Sequence, residues 1–257
     1  MALINQLTDR LLAVAQGTGE LLAMFLETLC HFREAPRNLP SILRQVQLIG
    51  IGTLPIGILM AVFVGMVLAL QTGAELANYG SQEALGAIVG LSMVKELGPV
   101  MTSLLVAGRI GSAIAAEVGA MQVYEEIDAL KTMEINPVRY LAMPRLLACL
   151  FAVPALVIFA NLVGIVGGGL VAEYNPRIAV PFSAYFDNMV GALGYREVLQ
   201  GLLKAMVFGG IIAQVGCYVG FKTRGGARGI GEATTRSVVI SFLLIMVANY
   251  FLSRFMM

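Results

Sequence analysis

The sequence has 257 residues, of which 58% are hydrophobic and only 13% are charged. Soluble domains average about 25% charged residues, so this composition excludes an ordinary soluble globule and predicts an integral membrane domain of a few spans. The net charge is +1 and no run of Lys and Arg could neutralise a phosphate backbone, which argues against nucleic acid as a partner.

Residues 1–45 are predicted to form an N-terminal unit outside the membrane core. Within it, residues 5–32 mix charges with apolar side chains at helical spacing, which is typical of an amphipathic helix lying in the membrane interface. A basic connector interrupted by prolines follows. The chain does not open with a basic stretch, an apolar run and a cleavage site, so we expect no signal peptide. The transmembrane domain is predicted over residues 46–257.

Five membrane spans are predicted in that domain, which makes the fold all-α. The helical pattern from residue 84 to 121 is too long for one crossing, so we predict a break or kink at Gly98-Pro99 and an extension beyond the membrane. The approximate spans are 46–70, 84–108, 146–170, 198–220 and 237–253, joined by connections over 71–83, 109–145, 173–197 and 221–236.

The first span contains a proline and a row of small residues. Pro55 predicts a kink near the first third of the span. Gly57, Ala61 and Gly65 recur every four residues, a spacing that suits close packing of helices. Together with the glycine-rich end of the third span, this row would permit a second copy of the chain to pack here.

The distribution of basic residues predicts the orientation in the membrane. The N-terminal segment and the connections 109–145 and 221–236 each carry four Lys or Arg, whereas 71–83 carries none and 173–197 carries two. Basic residues accumulate on the cytoplasmic side of membrane proteins. We therefore predict a cytoplasmic N-terminus, two cytoplasmic basic connections and, after five spans, a periplasmic C-terminus.

Charges crowd into the connection 109–145, predicted to be a large polar loop. A helix that docks on a separate ATPase needs an apolar face with charged flanks, and residues 117–134 have this composition. Ile110, Ile114 and Val118 mark one helical face with Met121, while Ile127 and Leu130 mark another. An ordinary solvated loop would show the same pattern, so the residues alone leave both interpretations open. The candidate coupling residues are Glu117, Met121, Glu125, Glu126, Asp128 and Leu130.

Two ionisable residues, Glu96 and Lys204, fall inside predicted spans. Charged groups at membrane depth are costly and usually face a cavity or a partner. The pattern leaves two interpretations open: a structural pair of Glu96 with Lys95 or Lys204, and a polar site that contacts substrate. An ion-coupled carrier or channel built on Glu96 and Lys204 is therefore an alternative function.

Five motifs carry a resemblance to a known family. They are KELGPV (95–100), AGRIGSAIAAEVGAM (107–121), VYEEIDALKTMEINPVRYLAMPR (123–145), LLKAMVFG (202–209) and GGARGIGEATTRSVV (225–239). In order and spacing they resemble MlaE-type permeases, over roughly residues 40 to 257. Those proteins are the membrane subunits of ABC transporters that move phospholipid between the two membranes of Gram-negative bacteria and of plastids.

The resemblance implies a lipid site and a set of partners. Family positions matching Glu96 and Lys204 lie near the lipid cavity, a position acidic in some members is Asn249 here, and the end of the first span lines the mouth of the pocket. The implied partners are phospholipid, a second copy of the chain, a cytoplasmic ABC ATPase dimer and a periplasmic MCE-domain protein, and the family admits a STAS-domain protein. The implied role is maintenance of outer-membrane lipid asymmetry from the inner membrane. The implied lipid-binding residues are Leu68, Gln71, Tyr79, Glu96, Leu97, Lys204 and Asn249.

Catalytic, nucleotide and metal motifs are missing from the sequence. The run GGARGIGEATTR is neither a Walker A motif nor a dinucleotide fingerprint, and we predict that Thr234 and Thr235 form a turn and cap the last span. Since there is no Walker A lysine, ATP hydrolysis is expected in a separate subunit. The three cysteines are isolated and His31 is the only histidine, so we expect no metal site and no cofactor in this chain.

Overall fold

The computed structural model describes the backbone of residues 2–32 and 38–256, and the side chains of residues 16–32 and 38–256. The described residues form helices and short connections, with no strand, which confirms the all-α prediction. The helices are α1 (Ala2–Cys30), α2 (Leu39–Asn78), α3 (Gln82–Val123), α4 (Glu126–Thr132), α5 (Val138–Tyr174), α6 (Phe182–Ala192), α7 (Tyr195–Phe221) and α8 (Gly226–Met256).

Five of these helices, α2, α3, α5, α7 and α8, are long and apolar enough to cross a membrane. They are longer than predicted: α2 begins at Leu39 and ends at Asn78, so residues 71–78 are helical and not part of a connection. At 1.5 Å per residue, α2 and α3 each extend about 60 Å, roughly twice the hydrocarbon core. Both therefore project beyond it, as predicted for the second span.

The predicted break at Gly98-Pro99 is absent, because α3 continues through it. A π-helical turn, Met93–Leu97, comes immediately before, and Pro99 lies in the first turn of the α-helical segment that follows. Proline has no N–H and its ring crowds the carbonyl four residues earlier, which here is Lys95. The wide turn accommodates the proline without ending the helix, since one extra residue relieves this crowding.

The small-residue row of α2 packs against α5 within the same chain. Gly57, Ala61 and Gly65 are all buried. A Cβ atom on Gly65 would lie 1.9 Å from the carbonyl oxygen of Gly164, so only glycine permits this approach. The row expected to permit packing of a second copy is thus occupied by α5 of its own chain. Packing of small residues is the usual source of helix association in lipid.

A short helix, α6, lies in the segment 173–197, which was predicted only as a connection. Tyr185 is fully buried and donates a hydrogen bond from its hydroxyl to the Ile165 carbonyl, 3.2 Å away. Asn188 donates from its amide to the Glu83 carbonyl at 2.9 Å. These contacts fix α6 against α3 and α5 at one end of the bundle, called the α6 end below.

The predicted loop 221–236 is mostly helix, because α8 already begins at Gly226 and only residues 222–225 connect α7 to it. Thr234 and Thr235 do not cap the helix; their hydroxyls donate to the Gly231 carbonyl inside it. Ser237 is buried and donates to the Gly111 carbonyl of α3 at 3.1 Å. Packing against α3 thus overrides the low helix propensity of the glycines.

The predicted N-terminal helix is present as α1, and its described part packs on the bundle. Leu21 and Phe25 contact the core, whereas Leu22 and Leu26 on the other side are 58% and 60% exposed. Thus α1 has apolar surface on two sides, one against protein and one facing outward. Glu27 accepts a hydrogen bond from the Asn136 amide at 2.8 Å, which ties α1 to the segment that precedes α5.

Candidate functional site

Glu96 of α3 and Lys204 of α7 form an ion pair inside the bundle. The Lys204 ammonium nitrogen lies 2.6 Å from Glu96 Oε1. The lysine side chain is 3% exposed, whereas the glutamate side chain is 43% exposed. Glu96 thus pairs with Lys204, as the first interpretation expected, and contact of this pair with substrate stays a prediction. The carboxylate is the accessible member of the pair, and the ammonium is enclosed.

Lys204 has an acceptor for each of its three protons. Besides Glu96, it donates to the Lys95 carbonyl at 3.0 Å and to the Ser253 hydroxyl at 2.8 Å. The Lys95 carbonyl is available because the residue four positions later is Pro99, which cannot donate the usual helical hydrogen bond. The Lys-Glu-x-Gly-Pro sequence therefore supplies to the same lysine both a carboxylate and a backbone carbonyl that lacks its usual α-helical donor.

Two residues of α8 complete this polar cluster. Asn249 donates from its amide to Glu96 Oε2 at 3.1 Å, and the Ser253 hydroxyl lies 3.1 Å from Glu96 Oε1. Asn249 was expected near this site from the family resemblance. Its amide donates a hydrogen bond to the Glu96 carboxylate, whereas an acidic side chain at this position would repel that carboxylate. Ser253 was missed, although its position one helical turn after Asn249 puts it on the same face of α8. We call Glu96, Lys204, Asn249 and Ser253 the polar cluster.

The other predicted lipid-binding residues divide into two groups. Leu68 of α2 and Leu97 of α3 are partly buried and pack against the same apolar group, which includes Met93 and Ile165. Gln71 is exposed, and Tyr79, just beyond the end of α2, is 80% exposed. The structure thus brings Leu68 and Leu97 into one apolar region, while Gln71 and Tyr79 point away from the packed interior near the α6 end.

At the opposite end of the bundle, the predicted coupling residues occupy the end of α3 and all of α4. The apolar faces marked by Ile114, Val118 and Ile127 exist, but they are buried in the chain's own core. They are therefore not free to dock a partner, contrary to the expectation of an apolar docking face. Met121 and Leu130 are partly buried against the same core.

The exposed surface of this region is acidic. Glu125, Glu126 and Asp128 are exposed, and we call these three residues the acidic edge. Two exposed apolar side chains flank it, Tyr124 at 71% and Met133 at 69%, and the sequence reasoning missed both.

Local contacts hold this region in place on the bundle. Glu125 has a positive φ of 63°, unusual for a residue other than glycine, and makes the tight turn between α3 and α4. Glu117, also predicted to couple, pairs with the buried Arg145 of α5 at 3.0 Å. That pair fixes the end of α3 to the start of α5.

A family model described as Permease MlaE matches residues 42–255 of the chain. The chain belongs to the MlaE permease family. The resemblance seen in the motifs is thereby confirmed. A probable ABC transporter permease protein of Rickettsia felis is 36% identical to this permease over 249 residues, which are 97% of this chain and 95% of the relative. One from Synechocystis sp. is 37% identical over 245 residues, 95% of this chain and 90% of the relative.

A plant relative extends the comparison. The Arabidopsis thaliana protein TRIGALACTOSYLDIACYLGLYCEROL 1, chloroplastic, is 35% identical to the permease over 244 residues, which are 95% of this chain and 67% of the plant protein. The permease is thus a multi-pass membrane subunit of an ABC transporter, and this class works with an ATPase subunit.

Proposed function

We propose that this permease moves phospholipid between the bacterial inner membrane and a periplasmic MCE-domain carrier, and so maintains the lipid asymmetry of the outer membrane. The observation that carries the proposal is the polar cluster, whose half-exposed carboxylate lies beside apolar side chains inside membrane-spanning helices. A phospholipid needs both kinds of surface, one for its charged headgroup and one for its acyl chains. The plant relative is named after a glycerolipid, trigalactosyldiacylglycerol, which supports a lipid as the substrate.

In this proposal two copies of the permease enclose the lipid cavity between them. Glu96 is 43% exposed on the single chain, so a second copy can complete the enclosure of the carboxylate. The Glu96 carboxylate would contact the positively charged part of a lipid headgroup or an ordered water. Because Lys204 already has three acceptors, it serves mainly to hold Glu96, and binds phosphate only when one of these acceptors is given up.

The cytoplasmic ATPase dimer docks on the acidic edge, in the orientation predicted from the basic residues. Tyr124 and Met133 provide the apolar contacts, since the other apolar residues of this region are buried in the core. A STAS-domain protein would bind the ATPase side of the complex. Membership of an ABC permease family supports ATP as the driving force and takes away the reason for the ion-coupled alternative.

Reconstitution tests the proposal. The permease is placed in proteoliposomes with its ATPase and MCE-domain partners, and ATP-dependent exchange of labelled phospholipid with the MCE protein is measured. We expect Glu96→Gln to reduce exchange about tenfold or more, while Arg254→Met, an exposed charge on α8, leaves it unchanged. If the Glu96→Gln variant exchanged phospholipid at the wild-type rate, or if an ion gradient drove exchange without ATP, the proposal would be contradicted.

Photo-crosslinking locates the lipid. A photoreactive amino acid at Leu68 or Leu97 should become attached to labelled phospholipid in the complex, more than one at Phe251 on the exposed side of α8. Tyr79, which is exposed near the α6 end, tests whether the mouth of the pocket extends to this position. Equal labelling at all four positions would indicate contact with bulk bilayer only and would remove the lipid site from this part of the bundle.

A further inference from the structure

The polar cluster presents only one pole of its ion pair to a ligand. The Glu96 side chain is 43% exposed, whereas the Lys204 side chain is 3% exposed. All three protons of the Lys204 ammonium already have acceptors within the protein. A group that enters the cluster therefore meets the carboxylate first, and a negatively charged group finds no free donor on the lysine.

The Glu96 carboxylate has room for one more donor. Lys204 and Ser253 donate to its Oε1, and the Asn249 amide donates to its Oε2. A carboxylate offers about four acceptor positions, so one position remains, on Oε2. This open position accepts a donor and disfavours an acceptor such as a phosphate oxygen. A charged donor adds Coulomb attraction to the hydrogen bond, and that attraction is stronger in a site of low dielectric than in water.

The negative end of the cluster is not offset by a second described cation. Among the described residues, Lys204 is the only cation that forms an ion pair with Glu96. The adjacent Lys95 is partly buried, and its side chain reaches no described acid within ion-pair distance. Because residue 249 is an amide, Glu96 does not share a proton with a second carboxylate there. The cluster thus has its negative end outward and its positive end enclosed.

Phospholipids share a phosphate and differ in the group attached to it. Phosphatidylethanolamine ends in a primary ammonium with N–H donors, and phosphatidylcholine ends in a cation that has no donor. Phosphatidylglycerol ends in neutral hydroxyls and keeps a net negative charge. Only the first offers both the charge and the donor that suit the open position on Glu96. Specificity also comes from repulsion of the wrong ligand, and the outward carboxylate repels an anionic headgroup.

We propose that the polar cluster selects phospholipids whose headgroup ends in a primary ammonium, which donates to Oε2 of Glu96, over those with an anionic or a quaternary ammonium headgroup. The acyl chains lie against Leu68 and Leu97, which belong to the adjoining apolar group. This selection rests on the lipid transport proposed above and adds to it the class of headgroup.

Competition between headgroups tests the selection. Proteoliposomes that hold the permease with its ATPase and MCE-domain partners contain equal amounts of the three phospholipids, each with its own isotope label. Mass spectrometry then gives the ratio in which ATP-dependent exchange delivers them to the MCE protein. We expect phosphatidylethanolamine to exceed each of the other two about fivefold, the effect of one hydrogen bond. An excess of either of the others would overturn the proposal.

Three variants change the charge of the cluster and test whether Glu96 is the selecting group. Glu96→Gln leaves the enclosed ammonium with a net positive charge and should reverse the preference toward phosphatidylglycerol. Lys204→Met leaves a net negative charge and should raise the share of phosphatidylethanolamine above that of the wild type. The double variant is neutral without a carboxylate and serves as the reference. Since the MCE protein is the same throughout, its own preference cancels when each ratio is divided by that of the double variant.

The outcomes separate the selection from the transport itself. ATP-dependent exchange with the same headgroup ratio in the wild type and in the double variant would overturn the selection and leave the transport standing. Absence of ATP-dependent exchange in the wild type would remove both. A purely structural role of Glu96 would lower the rate in Glu96→Gln and leave the ratio unchanged. If Glu96→Gln does not assemble, Lys204→Met decides, because a ratio no higher than that of the double variant would refute selection by the carboxylate.

Discussion

Replacing Glu96 by Gln should destabilise the permease more than replacing Lys204 by Met, although both changes break the same ion pair. The reason is the unequal exposure of the partners. Without Glu96, the ammonium of Lys204 remains 3% exposed and without a counter-charge. Without Lys204, the carboxylate of Glu96 is still 43% exposed and keeps the hydrogen bond from Asn249, so it can be hydrated.

The expected magnitudes follow from these contacts. An unpaired buried charge costs about 3–5 kcal/mol, and Lys204 in Glu96→Gln is at the lower end, about 3 kcal/mol, because Lys95 and Ser253 still accept its protons. We expect Lys204→Met to lower the free energy of unfolding by about 1 kcal/mol because the Glu96 carboxylate loses its ion pair, and by about 1 kcal/mol more because the Lys95 carbonyl loses its donor. The double variant leaves no charge, so its cost should fall short of the sum by about 2–3 kcal/mol.

Thermal midpoints of the detergent-solubilised permease, taken from the loss of the size-exclusion peak after heating, provide the assay. For a chain of this size 1 kcal/mol corresponds to about 2–4 °C, so Glu96→Gln should melt about 2–4 °C below Lys204→Met. Arg254→Met controls for loss of an exposed positive charge on α8 and should leave the midpoint unchanged. If Lys204→Met were the more damaging change, the carboxylate would lie against hydrocarbon and not in a hydrated cavity, and the reasoning would fail.

Three further predictions concern packing, coupling and orientation. Gly65→Ala should reduce the yield of folded protein strongly, because its Cβ would lie 1.9 Å from a carbonyl of α5, whereas Gly50→Ala, which meets nothing within 4 Å, should express normally. Replacing all three carboxylates of the acidic edge with Ala should leave insertion intact and lower co-purification of the ATPase about tenfold or more; undiminished co-purification and transport would remove the edge from the docking surface. In a cysteine-free background, an impermeant thiol reagent should label Ser81→Cys and not Thr132→Cys in intact cells, and the reverse pattern would invert the orientation.

The parts of the fold that could be predicted from sequence are those decided by composition. Long apolar runs predict membrane helices because backbone groups in hydrocarbon must bond within one helix, and all five were identified. The pairing of Glu96 with Lys204 was predicted as one of two alternatives, since charges at membrane depth require partners. The membrane helices were predicted too short, because helices that project beyond the membrane continue through polar residues such as Gln71.

The parts that could not be predicted depend on contacts between distant segments. The start of α8 is glycine-rich and reads as a loop, yet Ser237 and its neighbours pack on α3 and keep it helical. The helix α6 is held by the burial of Tyr185, which no local pattern indicates. Likewise, the row of small residues around Gly65 showed that a helix would pack there, but not that this helix would be α5 of the same chain.

The continuity of α3 joins the two candidate sites. This helix carries Glu96 in one half and leads to the acidic edge at its other end. It contains two π-helical turns: Met93–Leu97, which includes Glu96, and Ala107–Gly111, which lies between Glu96 and the acidic edge. Such turns are common at functional sites, because the extra residue allows a local shift of the helix register. At the first turn, Glu96 of α3 accepts hydrogen bonds from Lys204 and from the α8 residues Asn249 and Ser253. At the second turn, the Gly111 carbonyl accepts the hydrogen bond from Ser237 of α8. If the ATPase docks on the acidic edge as proposed, a movement of α4 would act on a helix that α8 holds at two levels, and a register shift at the first turn would change what the Glu96 carboxylate contacts.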